Sequence, residues 1–380
     1  MQDQTATDPA PPSDLGRPPA HRHWRRCLQT VRSAVRAAKL WNRGDTVGWA
    51  CSGGADSVAG LLVCAALRRS LGHQIVVLHV DHGLTPSSGE AALLVQGLAA
   101  DLGLSHRMVR VDLCTQAGAH STNSAQALAQ PSQDQGPQLE ARARTARYAA
   151  LAAMAAATGC RVVATAHHAD DQAETVLLRL CRGAGPDALA GIAENRGDGV
   201  VRPLLRLTRA DLRDILADRP HWTDPGNAAL HHSRNRIRHI ALPALEAALP
   251  GAALGLSRTA AAAAETRGGI DAWLDHALRH LERGDPHSLT VPRHAVPAAP
   301  AALALLVRWV ARQLAVPLPS SRATNQFLGL ATRPGAGQMR AAGWQLTQTA
   351  DSWLFTAAAP NPALERQFTA ADVARAPGAD

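Results

Sequence analysis

Two clusters of residues in this chain have the types and spacing to do chemistry. The first is Cys51-Ser52-Gly53-Gly54-Ala55-Asp56-Ser57, between the apolar run at 46–50 and a stretch of helix formers beginning at Val58. A helix start presents unpaired backbone N–H groups and a partial positive charge, which suits an anion. Adjacent glycines let the backbone turn tightly and approach phosphate oxygens, and Ser52 and Ser57 add hydroxyl donors. Asp56 is out of place beside a polyphosphate unless a cation lies between them, so the loop implies Mg2+ with its nucleotide. A bare turn and helix cap is the inert reading of the same residues. The second cluster is Ala166-His167-His168-Ala169-Asp170-Asp171-Gln172-Ala173-Glu174-Thr175. On a helix Asp171 and Glu174 are i and i+3 neighbours and share a face, with His167 at or just before the first turn. Two carboxylates beside a histidine can grip an ammonium group. The helix macrodipole would account for one acid at a helix start, but three acids and two histidines exceed that need.

These clusters need strands to carry them. TVGWA (46–50), QIVVLHV (74–80), HRMVRV (106–111) and RVVATA (161–166) read as strands, and 57–70, 88–102 and 139–157 show helical spacing. Strands alternating with helices imply a parallel sheet covered on both faces, which binds ligands at the C-terminal ends of its strands. His79-Val80-Asp81-His82-Gly83-Leu84, closing the second strand, falls at such an end. Residues 115–138 lack periodicity and read as an inserted loop. Beyond about 240 the pattern becomes alanine- and leucine-rich at 251–283 and 297–315, breaks at PLPSS (317–321), and ends in a short helix near 321–331 and a hairpin, WQLTQT (344–349) with SWLFTA (352–357). Residues 1–20, rich in Pro and Asp, read as a disordered tail, 21–40 as a basic surface helix with a modest apolar stripe, and 361–380 as a loosely ordered tail.

The net charge is +8, and Lys39 is the only lysine among 39 basic residues. The surface therefore favours polyanions, and arginine forks suit phosphate. Residues 202–240 hold eight arginines, densest at Arg234-Asn235-Arg236-Ile237-Arg238. They could track an RNA backbone or pair with aspartates on a helix. The six cysteines form no CxxC pair, which disfavours a zinc knuckle or redox dithiol. No run of about 18 apolar residues spans a membrane, and the start lacks the apolar core of a secretory signal.

GxxxxGK[ST] and GxGxxG are both absent. SGGADS instead resembles the PP-loop of ATP pyrophosphatases, which cleave ATP between its α and β phosphates. SGGADS, HVDHGL, LEARARTARYAAL, AHHADDQAET, RPLL and RNRIR, in this order over about residues 40–245, resemble the tRNA(Ile)-lysidine synthetase family. The resemblance implies an α/β fold: a Rossmann-like PP-loop catalytic domain over 21–240, a helical tRNA-associated domain over 241–316 and a small α+β module over 317–360. It implies a cytoplasmic ligase that uses ATP and Mg2+ to join free L-lysine to the wobble cytidine of tRNA(Ile) with a CAU anticodon; a homodimer is one allowed assembly. Ser52, Gly53, Gly54, Ala55, Asp56 and Ser57 would bind ATP, with Asp56 on the metal. His167, Asp171 and Glu174 would handle lysine, Arg147 would steady the adenylate, and Arg144, Arg234, Arg236 and Arg238 would touch tRNA. The chain departs from the family pattern at Thr85, where arginine is usual, at Asp224-Pro225-Gly226-Asn227, and at Ala229 and His232.

Three rival readings share the loop. A PP-loop tRNA thiolase would need a cysteine pair or an iron–sulfur site. An amide-forming synthetase of the NAD type would not need the basic middle. A non-catalytic RNA-binding protein would keep arginines but need not keep Asp56, Asp171 and Glu174 together.

Overall fold

A computed structural model describes residues 22–81, 88–111, 136–223, 233–279, 281 and 287–357. The β-branched runs form strands β1 (Thr46–Ala50), β2 (Gln74–Asp81), β3 (Ser105–Arg110) and β4 (Val162–Ala164). The stretches between them form α2 (Ala55–Leu71), α3 (Ser88–Asp101) and α4 (Gly136–Ala157), and α5 (Ala169–Cys181) follows β4. A fifth strand, β5 (Val200–Val201), has only two residues, too few to show a pattern in the sequence. All five pair in parallel, in the order β3-β2-β1-β4-β5. The chain leaves β1 towards β2 and β3, then crosses to β4 on the other side. The crevice beyond β1 and β4 is thus the topological switch point, where open parallel sheets take ligands.

Packing follows from apolar spacing. In α1 (Arg22–Ala37), Trp24, Cys27, Val31, Ala34 and Val35 fall on one face and are buried. The helix read as a basic surface element is therefore also a core element, its arginines on the outer side. Its apolar face shares a core with Trp49, Val58, Leu61 and Leu67 of β1 and α2 and with Leu212, Ile215 and Leu216 of α6 (Arg209–Leu216). Contact is close enough that a Cβ at Gly60 would stand 2.4 Å from the Trp49 ring. Residues 136–138, assigned to the inserted loop by sequence, instead open α4; Pro137 there sits in the first turn, where a missing N–H costs nothing. The rest of that loop, the tails at 1–20 and 361–380, His82 to Leu84, Thr85, the 224–227 stretch, Ala229 and His232 lie outside the described residues.

After α6 come α7 (Ser233–Arg236), a π-helical turn (Ile237–Ala241), α8 (Leu242–Ala248) and α9 (Ala252–Ala277). The chain divides into two units, one reaching Ala264 and one beginning at Glu265. The second unit carries α10 (Pro300–Gln313), α11 (Ser321–Ala331) and an antiparallel sheet ordered β6-β9-β8-β7, from β6 (Ser288–Pro292), β7 (Gly337–Ala341), β8 (Trp344–Gln348) and β9 (Ser352–Ala357). Leu303, Leu306 and Phe327 of its helices share one core with Leu289, Leu346, Trp353 and Phe355 of its strands. Packing therefore runs across the 316/317 break that the sequence suggests. Among the described residues no single helix is long and apolar enough to cross a membrane.

Candidate functional site

Between β1 and α2 the glycines adopt the conformations the loop demands. Gly53 has φ +84°, a left-handed value, and an added Cβ would press on Ala91 at 3.4 Å. Gly54 caps α2 without any side-chain hydrogen bond to the helix, so no side chain competes with an anion for the first amides. Around them the loop is braced. The Ser57 hydroxyl donates to the Gly54 carbonyl at 2.8 Å and lies 3.2 Å from the Ser52 hydroxyl. Trp49 Nε1–H donates to the Ser57 carbonyl at 3.0 Å, and the Trp222 N–H to the Gly53 carbonyl at 2.8 Å. From β2, His79 Nδ1–H donates to the Cys51 carbonyl at 2.8 Å. Burial lowers the His79 pKa, outweighing that bond and Asp81, so the ring is a neutral prop.

Asp56, on the first turn of α2, faces the second cluster through a residue that sequence reasoning passed over. His168 is fully buried, with Nε2 3.4 Å from Asp56 Oδ2 and 3.5 Å from Asp171 Oδ2, and Nδ1 3.4 Å from Asp170 Oδ2. Burial alone would lower its pKa, but Asp170, Asp56 and Asp171 raise it to about 9. Burial alone would raise Asp56, yet His168 and then Arg209 hold its carboxyl below the ordinary range. The same competition, with His168 and Arg234 foremost against burial, holds Asp171 well below it. His167 points elsewhere. Its Nδ1 lies 2.9 Å from the Thr165 hydroxyl. Burial, aided by Arg202, Arg234 and Arg144 and opposed by Asp171, lowers it to about 4, so it is neutral near pH 7.

Asp171 and Glu174 do share a face of α5, and arginines from later in the chain fill it. Arg234 donates to Glu174 Oε2 at 2.9 Å and Asp171 Oδ1 at 3.1 Å. Arg238, one turn on, donates to Glu174 Oε1 at 2.6 Å and Asp171 Oδ1 at 2.9 Å. Arg209 adds a bond to Glu174 Oε1 at 3.2 Å, and its backbone N–H reaches Asp170 Oδ2 at 2.7 Å. Arg236, between the two, is exposed. The arginine run assigned to RNA thus divides: 234 and 238 turn inward onto carboxylates, and 236 faces out. Arg144 and Arg147 are exposed on α4. Arg144 lies over the Tyr148 ring at 5.1 Å, and Arg196 over the same ring at 4.2 Å. Gln172 holds α5 in place by bonds to both the N–H and the carbonyl of Ile192.

The structure places Asp171 and Glu174 on one face of α5, as their spacing implies, whereas the contacts of His168 and Arg209 and the inward pairing of Arg234 and Arg238 go beyond the sequence reading. His168 could have been suspected from its place just before two aspartates at a helix start. The arginine pairings leave no local signal. The residues present suit ATP with Mg2+: the left-handed Gly53 and the uncapped amides at Gly54 make a phosphate cradle, and Asp56, a hard oxygen ligand at its edge, matches Mg2+.

A PP-loop domain family matches residues 27–245. A tRNA(Ile)-lysidine synthase from Thermobifida fusca is 38% identical over 260 residues, covering 67% of this chain and 74% of that protein. One from Salinispora tropica is 39% identical over 270 residues, covering 68% and 75%. Among solved structures, a U34-tRNA thiolase from Methanococcus maripaludis aligns at 15% identity with a TM-score of 0.49, covering 69% of this chain and 82% of that one.

Proposed function

The chain belongs to the tRNA(Ile)-lysidine synthase family of PP-loop proteins, and on that premise we propose that it ligates L-lysine to C2 of the wobble cytidine, position 34, in tRNA(Ile) with a CAU anticodon. ATP is consumed, and AMP and pyrophosphate are released. The observation that carries the reading is the meeting of the SGGADS loop with the α5 acids at the switch point, Asp56 and Asp171 both closing on Nε2 of His168.

The cytidine O2 attacks the α-phosphate of ATP, and pyrophosphate leaves towards the amides of Gly53 to Ser57. Mg2+, held by Asp56, would neutralise the charge on the departing phosphates. The ε-amine of lysine then attacks C2 of the adenylated base, the C2–O bond breaks, and AMP departs. Lysine enters as an ammonium and must lose one proton before attack and another afterwards. A carboxylate of the α5 pair or neutral His167 accepts it. Glu174 already accepts four bonds from Arg209, Arg234 and Arg238, about its full capacity, so the ammonium must displace one of these arginines to reach it and meets Asp171 first. Arg147 steadies charge on the adenylate, while Arg144 and Arg236, both exposed, bind the tRNA backbone. The enzyme works in the cytoplasm, where its tRNA is.

The test is nucleoside mass spectrometry of tRNA(Ile) after incubation with ATP, Mg2+ and labelled lysine. Lysidine should form with one AMP per modified base, and Asp56→Ala should abolish it. AMP release that requires sulfide or ammonia instead of lysine would overturn the assignment, as would full activity in Asp56→Ala.

A further inference from the structure

A second cluster of ligand atoms lies on the far side of α2's neighbours, between α1 and α6. His23 and Cys27, i and i+4 on α1, face Asp211 and Asp214, i and i+3 on α6. His23 Nε2 is 3.3 Å from Asp211 Oδ1, 3.6 Å from Asp214 Oδ2 and 3.5 Å from Cys27 Sγ. One ligand atom from each of His23, Cys27 and Asp211 lies within 4.8 Å of the others. Tetrahedral zinc with ordinary bond lengths separates its nitrogen and oxygen ligands by about 3.4 Å, and its nitrogen and sulfur ligands by about 3.5 Å. We propose that His23, Cys27 and Asp211 form a Zn(II) site that pins α1 to α6; Asp214, 67% exposed and 3.6 Å from His23 Nε2, must move inward to supply the fourth ligand.

Three further features favour the site. Asp211 is already oriented: its Oδ2 accepts from the Thr208 N–H and hydroxyl, both at 2.7 Å, which leaves Oδ1 aimed at His23. An outer contact of this kind fixes a first-contact ligand. The charge balances, since a Cys27 thiolate and the Asp211 carboxylate carry two negative charges against the dication. The cluster also mixes sulfur, nitrogen and oxygen, a donor set suited to zinc and not to Mg2+. Two groups must yield. Arg26 touches His23 Nδ1 at 3.2 Å and Asp211 Oδ1 at 3.3 Å, but its side chain is 69% exposed and free to swing out. Cys27 is buried, and burial with Asp211 raises its pKa to about 11, so zinc must displace the thiol proton.

The site is independent of the proposed ligase reaction, although α6 also carries Arg209, which bonds to Glu174. The experiment is titration of chelator-stripped full-length protein with Co(II), then Zn(II). A tight one-to-one cobalt complex should appear, with a near-ultraviolet thiolate-to-metal band and tetrahedral visible bands, and zinc should bleach both. Cys27→Ser should lose the charge-transfer band, and His23→Gln, at a half-exposed position, should weaken binding at least tenfold. Added zinc should raise the melting temperature of the wild type and not of His23→Gln, with circular dichroism verifying that both variants fold. The proposal fails if wild-type protein binds no cobalt at micromolar concentration, if the complex lacks a thiolate band, or if that band survives Cys27→Ser. Any of these would leave a hydrogen-bonded His–Asp pair in its place.

Discussion

Replacing Glu174 by glutamine removes one negative charge while keeping the side chain's shape. Glu174 is fully buried and accepts from Arg209, Arg234 and Arg238, the closest at 2.6 Å. Removing one partner of a buried ion pair generally costs about 3–5 kcal/mol, because the remaining charge is stranded. Two facts reduce that here. The three arginine side chains keep 20%, 38% and 23% exposure, so water reaches them. Arg234 and Arg238 also keep Asp171 Oδ1 at 3.1 and 2.9 Å. The loss should therefore be about 2–3 kcal/mol. For a unit of this size that lowers the melting temperature by about 5–10 °C, a drop that should persist in high salt because buried pairs are weakly screened. If Glu174 also receives the lysine ammonium, the KM for lysine should rise at least tenfold while the KM for ATP stays near its original value. Differential scanning fluorimetry tests the first number, and steady-state kinetics with lysine or ATP varied tests the second. A melting temperature within about 1 °C of wild type would refute the ion-cluster energetics. An unchanged lysine KM would refute the ammonium role even if stability falls.

Gly53→Ala places a Cβ on a left-handed backbone against Ala91; it should cost about 1–2 kcal/mol locally and weaken ATP binding at least several-fold by equilibrium titration, with near-native circular dichroism. Stability should fall in acid through His73, which is 3% exposed and whose pKa is lowered by burial and by Arg68 from 6.5 to about 4. Above pH 6.5 neither state carries the proton and there is no penalty; between 6.5 and 4 the unfolded chain takes it up and the folded chain does not, so denaturant midpoints should drop across that window. The penalty for His73 approaches about 3 kcal/mol at pH 4, and His73→Phe should flatten this part of the profile. Arg236→Ala, at an exposed position, should weaken tRNA binding evenly across sequences and reduce the log–log salt slope by about one unit, whereas Arg238→Ala should mainly lower the melting temperature.

Legibility from sequence tracked how local each interaction is. The loop from Ser52 to Ser57 could be read because strand, turn and helix are contiguous and glycine answers a local backbone need. Asp171 and Glu174 could be placed on one face because helical spacing alone puts them there. What fills that face could not be read: Arg234 and Arg238 lie 60 or more residues away, and their run looks the same whether it meets phosphate or carboxylate. His167 and His168 are adjacent, so composition cannot say which one the turn into α5 buries; the structure buries the second among three acids. β5 has two residues, too few for a period of two to appear. β6 and β7 pair only at the edges of the second sheet, and their mixed composition gave no strand signal. The stripe on α1 was visible but was outvoted by its arginines, although Trp24, Cys27 and Val31 already carried core spacing.

The site must satisfy two opposite demands within a few ångströms. A triphosphate calls for positive potential and the lysine ammonium for negative, and ordinary side-chain charges placed for one would repel the other. On the proposed assignment the first demand falls largely to dipoles, the amides at the start of α2, and the second to the carboxylates of α5. Where the two zones meet, Asp56 and Asp171 would repel each other across His168. Asp170, Asp56 and Asp171 raise the pKa of this buried imidazole; its Nδ1 accepts from the Asp170 N–H at 3.3 Å, which leaves Nε2–H facing Asp56 and Asp171. Arg209, Arg234 and Arg238 compensate the acids from the other side of α5, and Arg209 also acts on Asp56. Because His168 Nε2 lies within 3.5 Å of acids from both α2 and α5, it links the two helix starts across β1 and β4. Asp56, Asp171 and Glu174 thus each meet an N–H donor or a guanidinium built into the fold before any substrate arrives, which offsets the burial that would otherwise raise the pKa of Asp56 and Asp171.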